Sequence, residues 1–262
     1  MTALNISSDF VGGNIVIGEV NNNTITLFND LRGTSFDWFY WAFSIEGAQG
    51  KSIKFKFNQQ TRIGPWGPAI SYDLINWHWL GKKDLDEAFT YSFRDNENKV
   101  YFAHSMLYHP NRFFYFAKQK GMVIKTLCKS EKGRDVPFIT FGNGSKNIIL
   151  TARHHACESS GSYVLEGVLD IIKDYHDLCI YCIPFVDYDG VIDGDQGKNR
   201  SPHDHNRDYD ITREPIYCTT SKIREYSIHN DIYAAFDFHS PLHTEENLFI
   251  VHKSINDDKT IA

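Results

Sequence analysis

The chain has 262 residues, 42% hydrophobic and 15% aromatic, enough for one large domain or two modest ones, each with a real core. Its net charge of −6 argues against a nucleic-acid partner, which calls for a basic patch or stripe. No run approaches the roughly 18 apolar residues that span a membrane. The opening residues, Met1 to Asp9, lack a basic start and a long apolar stretch, so no secretory signal is read and a cytoplasmic location is expected. Five cysteines without framework spacing fit a reducing compartment.

The first part, to about residue 110, is rich in short strand signals. Asn14 to Val20 and Thr24 to Phe28 flank Asn21-Asn-Asn23, a plausible hairpin turn. Asp37 to Ile45 and Ser52 to Asn58 come next. The second alternates apolar and polar residues throughout, the pattern of a half-buried antiparallel strand. Gly64-Pro-Trp-Gly-Pro68 is a loop of turn formers. Strands near Ala69–Tyr72, Asn76–Leu80, Ala88–Phe93 and Lys99–His104 complete a set that points to a β-sandwich or jelly roll. The aromatic cluster of Trp38, Phe39, Tyr40, Trp41, Trp66, Trp77 and Trp79 reads as core and inter-domain packing rather than a sugar-binding face.

After residue 110 strands and helices alternate, the mark of an α/β sheet with crossover helices. The expected order is helix Asn111–Lys120, strands Met122–Leu127, Pro137–Phe141 and Asn147–Ala152, helix Ser159–Ile172 and strand Leu178–Val186. A polar loop then runs from Asp187 to about Arg213, before helix Ser221–His229 and strand Asp231–Phe238. Cys179 and Cys182 are spaced as C-x-x-C but sit in an apolar strand, where positions three apart face opposite sides. They read as core cysteines. No internal repeat is present.

The chemistry centres on Thr151-Ala-Arg-His-His-Ala-Cys-Glu158, where a strand opens into a helix. A His and a Glu three residues apart at such a junction can place a ring nitrogen and a carboxylate oxygen on one metal ion. His154 is a rival for His155, but its pairing with Glu158 needs both on a helix, and Glu158 sits near the helix start. The long loop carries Asp187-Tyr-Asp-Gly-Val-Ile-Asp-Gly194 and Asn199-Arg-Ser-Pro-His-Asp-His-Asn-Arg207. Loops of that length inside a compact domain are usually functional or disordered. It comes directly after a predicted central strand, where α/β proteins place their sites. Its acidic residues lack calcium-loop spacing. His203 and His205 read as solvated loop residues, with a second metal site as the rival. The strand Ala234-Ala-Phe-Asp-Phe-His239 delivers a further imidazole. Two His and one Glu, with water in the fourth position, is a known catalytic zinc pattern.

On these residues the chain resembles the zinc carboxypeptidase (metallocarboxypeptidase) family, in its cytosolic carboxypeptidase-like branch, over nearly its whole length. The family's Ala-Arg-x-His-x-x-Glu is matched by Ala152 to Glu158. Pro184, Asp189-Gly190-Val191, Gly194, Arg200, Asp204, Asn206 and Arg207 match its loop pattern, and Asp237-Phe-His239 resembles its third-ligand strand end. The resemblance implies an α+β fold in two domains. An N-terminal antiparallel β-sandwich (1–110) precedes a zinc carboxypeptidase-like α/β domain (111–262), a mixed sheet with flanking helices, incomplete at its C-terminus.

It also implies roles. His155, Glu158 and His239 bind Zn2+. Asp204 accepts a hydrogen bond from the non-metal nitrogen of His155. Asn206 and Arg207 grip the C-terminal carboxylate of a peptide or protein tail, and Arg200 stabilises the oxyanion. The family's general-base Glu lies on a late strand well beyond the third ligand, and Glu245 and Glu246 are too close to His239 to fill that place. The substrate-capping Tyr and much of the specificity pocket belong to the same later region. A truncated chain, a shortened member with a rearranged base, and a binding protein without catalysis are the three explanations. Two other functions stand beside a zinc-dependent metallocarboxypeptidase. One is an acyl-amino-acid amidohydrolase of the desuccinylase type, against which the β-sandwich argues. The other is a catalytically inactive peptide-tail binding protein.

Overall fold

A computed structural model describes residues 4–36, 38–57, 63–64, 66–81 and 87–240. Among the described residues it is a mixed α+β structure of three sheets and few helices. The first sheet has the order β1 (Asn5–Ser7), β4 (Ala42–Glu46), β9 (Lys99–Ala103), β6 (Ala69–Ser71), β7 (Trp77–Trp79), with every neighbouring pair antiparallel. The second runs β2 (Val16–Asn21), β3 (Thr24–Phe28), β5 (Ser52–Phe57), β8 (Ala88–Ser92). Phe43, Ile45, Val100 and Phe102 of the first sheet share one core with Leu27, Phe55, Phe57 and Phe89 of the second. β5 buries every second residue, as its alternation demands. Trp41 is fully buried in this core, 4.7 Å from the Phe57 ring, whereas Trp66 and Trp79 are exposed.

One expectation is corrected. β3 and β5 pair in parallel, with Thr24 opposite Lys54 and Leu27 opposite Phe57, so this sheet is not purely antiparallel. The cause is the path between them. The chain leaves β3, runs through β4 in the other sheet, and returns in its original direction. The strand expected over 37–45 is also shorter, beginning at Ala42. At Tyr40 the backbone groups that would extend a ladder are taken by Gln196, whose side chain accepts from Tyr40 N and donates to Tyr40 O.

The third sheet has the order β10 (Ile124–Lys129), β11 (Asp135–Phe141), β13 (Leu178–Ile183), β12 (Lys146–Ala152), β14 (Ile232–Phe238). β12 is parallel to both its neighbours, and the β10 and β11 pairings are antiparallel. Helix α2 (Ser159–Ile172), present with the expected bounds, carries the chain from β12 to β13. Its Leu165 and Leu169 pack with Ile148, Leu150 and Ile180. Ile149 and Ile183 face the other way, onto Ile223 of α4 (Cys218–His229). Apolar cover on both faces is what a parallel pair of strands requires. Helix α1 (Pro110–Gln119) adds Phe113 and Ala117 to the α2 side.

The loop expected from Asp187 to Arg213 opens with a short helix, α3 (Tyr188–Asp193). Asp187 caps it by accepting from Gly190 N, and Gly194 ends it in the left-handed region, at φ 77°. His243, Glu245, Glu246 and His252 lie outside the described residues.

Candidate metal centre

β12 and β14 are parallel and in register, Ala152 opposite Phe238, so their C-terminal ends, and the residues just past them, meet at one edge of the sheet. After β12 the chain turns sharply at Arg153, a non-glycine residue at φ 62°. That conformation is costly for a side chain with a Cβ and persists where the surroundings hold it. Here the buried guanidinium donates from Nε to Ala156 O at 2.8 Å, closing the turn. Glu158 stands immediately before α2. Gly161, in the first turn of α2, allows the helix to meet the end of β14, because a Cβ there would lie 2.4 Å from Phe238 O. The turn, the helix start and the strand end thus converge.

The convergence is tight. His155 Nδ1 is 3.0 Å from Glu158 Oε1, and His239 Nδ1 is 2.6 Å from Glu158 Oε2. One ligand atom from each of His155, Glu158 and His239 falls within 4.8 Å of the others. Burial pushes the Glu158 carboxyl up, but hydrogen bonds from His155 and His239 and the charge of Lys198 outweigh it and hold it well below the ordinary range. His239 lies between two carboxylates, with Nε2 2.6 Å from Asp237 Oδ2. Burial opposes its charge, yet Asp237 and Glu158 raise the ring to about 10. His154 turns away. Its Nδ1 is 2.8 Å from Asp237 Oδ1 and its Nε2 is 2.6 Å from the Tyr209 hydroxyl. Asp237 also accepts from Thr151 Oγ1 at 2.9 Å.

Zinc bonded to nitrogen and oxygen at about 2.0–2.2 Å keeps tetrahedral ligands roughly 3.3 Å apart. Two imidazole nitrogens and a carboxylate in this arrangement fit that ion. His154, Asp237 and His239 form a second group within the same 4.8 Å limit, sharing His239 with the first.

A groove of about 360 Å³ opens beside His155, walled by Ser35, Trp38, Lys198, Asn199, Arg200 and Arg207 among others. Its outer wall belongs to the connection between β3 and β4. Ser35 N donates to Asn199 O at 3.1 Å, Trp38 Nε1 donates to Asn199 Oδ1 at 3.0 Å, and Thr34 bridges to Arg200.

Residues 6–104 match the family model for the N-terminal domain of cytosolic carboxypeptidases. Human cytosolic carboxypeptidase 2 is 29% identical over 157 residues, which are 52% of this chain and 17% of that protein. An uncharacterised protein of Zymomonas mobilis is 29% identical over 186 residues, 66% of this chain and 48% of its own length. The fold superimposes on a metallo-carboxypeptidase from Burkholderia cenocepacia with a TM-score of 0.76, at 18% identity, covering 92% of this chain and 72% of that one. A Pseudomonas aeruginosa metallo-carboxypeptidase solved with (2-guanidinoethylmercapto)succinic acid gives 0.76 at 19% identity, covering 91% and 70%. The family model, the curated relatives and the fold all support the metallocarboxypeptidase family. The chain spans about half the length of the Zymomonas relative and under a fifth of the human one.

The remaining expected site residues take distinct positions. Asp204 Oδ1 is buried without a hydrogen-bond partner among the described residues and points toward His155 Nε2 at 3.9 Å, longer than a hydrogen bond. Its Oδ2 accepts from Asn199 N at 3.0 Å. Asn206 and Arg207 lie on a 3₁₀ turn, His205–Arg207. Arg207 reaches the groove, and its Nη1 makes a 3.4 Å contact to Asn206 O. Arg200 also lines the groove, but its Nη2 is 2.9 Å from Asp187 Oδ2 and 2.9 Å from Asp195 Oδ2. The two loop histidines are not solvated as expected. His203 Nε2 is 2.6 Å from Asp208 Oδ1, and buried His205 stacks on Tyr217 at 3.7 Å. Burial, with the charge of Arg200, pushes His205 down to about 3.

Lys198 belongs to no motif in the sequence. Its Nζ is 2.6 Å from Glu158 Oε1 and 4.8 Å from the centre of the Trp38 ring. Asp237 is a further addition to the site, although its place two residues before His239 on a strand already put both side chains on one face.

Proposed function

We propose that this protein is a zinc-dependent metallocarboxypeptidase of the cytoplasm, acting on the C-terminal residues of peptides or protein tails. The observation that carries the reading is the convergence of His155, Glu158 and His239 beside a groove lined by Arg207. On this reading residues 1–110 are a β-sandwich domain and 111–262 the metal-bearing domain. A peptide tail, rather than a nucleic acid, is the partner, in keeping with the net charge of −6.

His155, Glu158 and His239 would hold zinc, which would supply a water of lowered pKa and polarise the scissile carbonyl. The chain's own residues do the positioning. Arg207 presents a planar fork that takes the substrate carboxylate in bidentate fashion, with Asn206 beside it. Asp204 faces the outer nitrogen of His155 from 3.9 Å, and would fix which nitrogen carries the proton on closing to hydrogen-bond distance. Asp237 does the same for His239. Trp38 and Ser35 wall one side of the groove. By resemblance, the proton-accepting Glu belongs to a later strand.

Elemental analysis and a carboxypeptidase assay on peptides with free and amidated C-termini test this reading. One zinc per chain, with residues released only from free termini, is the expected result. A protein that takes up no metal sinks the proposal. Metal uptake with peptide binding but no release supports the tail-binding reading instead.

A further inference from the structure

Three cations line the groove, and they are not equivalent. Arg200 is neutralised by Asp187 and Asp195, with Nη1 adding a 3.2 Å contact to Asp187 Oδ1. Arg207 is the cation suited to a carboxylate. Lys198 is different again. Its ammonium is paired with Glu158, a carboxylate that the metal would claim. Its position is built rather than incidental. Gly197 sits at φ 73°, and a Cβ there would lie 2.3 Å from Ala156 N, so the loop passes close against the 153–158 turn immediately before Lys198. Trp38 covers the ammonium from the other side and is itself fixed by Asn199.

An ammonium and a divalent cation drawn to one carboxylate repel each other and compete for it. A metal held by His155, Glu158 and His239 would compete with the Lys198 head for Glu158. The Trp38 ring attracts a cation and keeps it at the groove rim. From the rim, the flexible four-carbon stem carries the ammonium to whatever oxygen lies between the metal and Arg207.

We infer that Lys198, in place of Arg200, is the cation that meets the scissile carbonyl oxygen once metal has displaced it from Glu158. The inference rests on the carboxypeptidase reading above. The ammonium donates hydrogen bonds to the oxygen as negative charge develops and keeps its own protons, so no bond beyond those of hydrolysis is made or broken. In the metal-free protein the same ammonium serves as the counter-ion of Glu158.

Phosphinic dipeptide analogues with a free C-terminal carboxylate, whose tetrahedral phosphinyl group stands in for the hydrated carbonyl, provide the probe. Analogues ending in Glu, Phe and Lys are compared on the zinc-loaded wild type, and the tightest is carried forward beside its free C-terminal amino acid. Lys198→Met should keep one zinc per chain and lose at least about 30-fold in analogue affinity, the order of one charged transition-state donor. The free amino acid should change no more than about twofold, and Lys198→Arg should restore most of the loss. Chelator competition should show zinc bound several-fold more tightly by Lys198→Met, since its competitor for Glu158 is gone. Should Lys198→Met fold poorly, Lys198→Gln serves the same comparison. Unchanged analogue affinity, or equal losses for analogue and amino acid, overturns the assignment while leaving the carboxypeptidase reading intact. Zinc affinity that fails to rise overturns the displacement. A wild type that binds no zinc removes both.

Discussion

Asp237, the last residue but one of β14, holds His239 just past the strand end, Oδ2 to Nε2 at 2.6 Å. Alternate strand residues share a face, so a carboxylate at this offset reaches the far side of the ring and leaves Nδ1 aimed at Glu158. Asp237→Ala should therefore weaken zinc binding by roughly 10–100-fold, as loss of a ligand's outer partner commonly does. Tyr209→Phe, which removes only the far end of the same run of hydrogen bonds, should stay within about twofold. Competition against a chromophoric chelator measures both.

His155→Ala should abolish stoichiometric zinc binding outright, because His154, the other imidazole of the turn, is held away by Asp237 and Tyr209. Elemental analysis after gel filtration reads this directly. Full occupancy in that variant sinks the proposed ligand set.

Arg207→Ala should raise KM by roughly 10–100-fold, the worth of a charge-assisted bidentate contact, with zinc content unchanged. A fall in kcat with KM constant would instead move Arg207 away from the substrate carboxylate.

The close approach at Gly161 predicts a defect in both stability and metal binding. Gly161→Ala places a Cβ 2.4 Å from Phe238 O, and the end of β14 must shift to relieve it. A cost of about 1–3 kcal/mol is expected from such overpacking. His239 moves with the strand, so zinc affinity should fall as well. Thermal melts of the metal-free and zinc-loaded protein separate the two effects.

Much of the site is legible in the sequence. Helix α2 shows in its apolar spacing, and the His155–Glu158 spacing at its start marks two candidate ligands. The parallel pairing of β3 and β5 is not legible, because it depends on β4 lying in a different sheet, which no local pattern records. The company of Arg200 is likewise hidden. Its nearest acids, Asp187 and Asp195, precede it by 13 and 5 residues and meet it only through the path of the loop. Lys198 carries no motif at all. Its interest comes entirely from where Gly197 sends it.

Asp208 should couple stability to acid. Burial pushes its carboxyl up, but bonds from Thr220, His203 and the Ile216 and Tyr217 amides outweigh this and hold it below the usual range. His205 faces it as well. A depressed folded pKa contributes stability that is present above the ordinary aspartate value, near 4, and is lost as pH falls through the folded value. Asp208→Ala should accordingly be less stable than wild type at pH 7, with the gap narrowing below about pH 4. Urea midpoints at both pH values check this, and a gap that widens in acid contradicts it.

The grip of residues 34–40 on the loop at 196–200 has a consequence for how the fold can be divided. Gln196 lies against the Tyr40 backbone as a neighbouring strand would, and Ser35, Trp38 and Thr34 continue the contact to Arg200. The connection between β3 and β4 thus acts as a mould in which the loop is cast. Cut away, it would leave the three ligand residues on their own strands and turn, but the groove would lose the wall that gives it a shape.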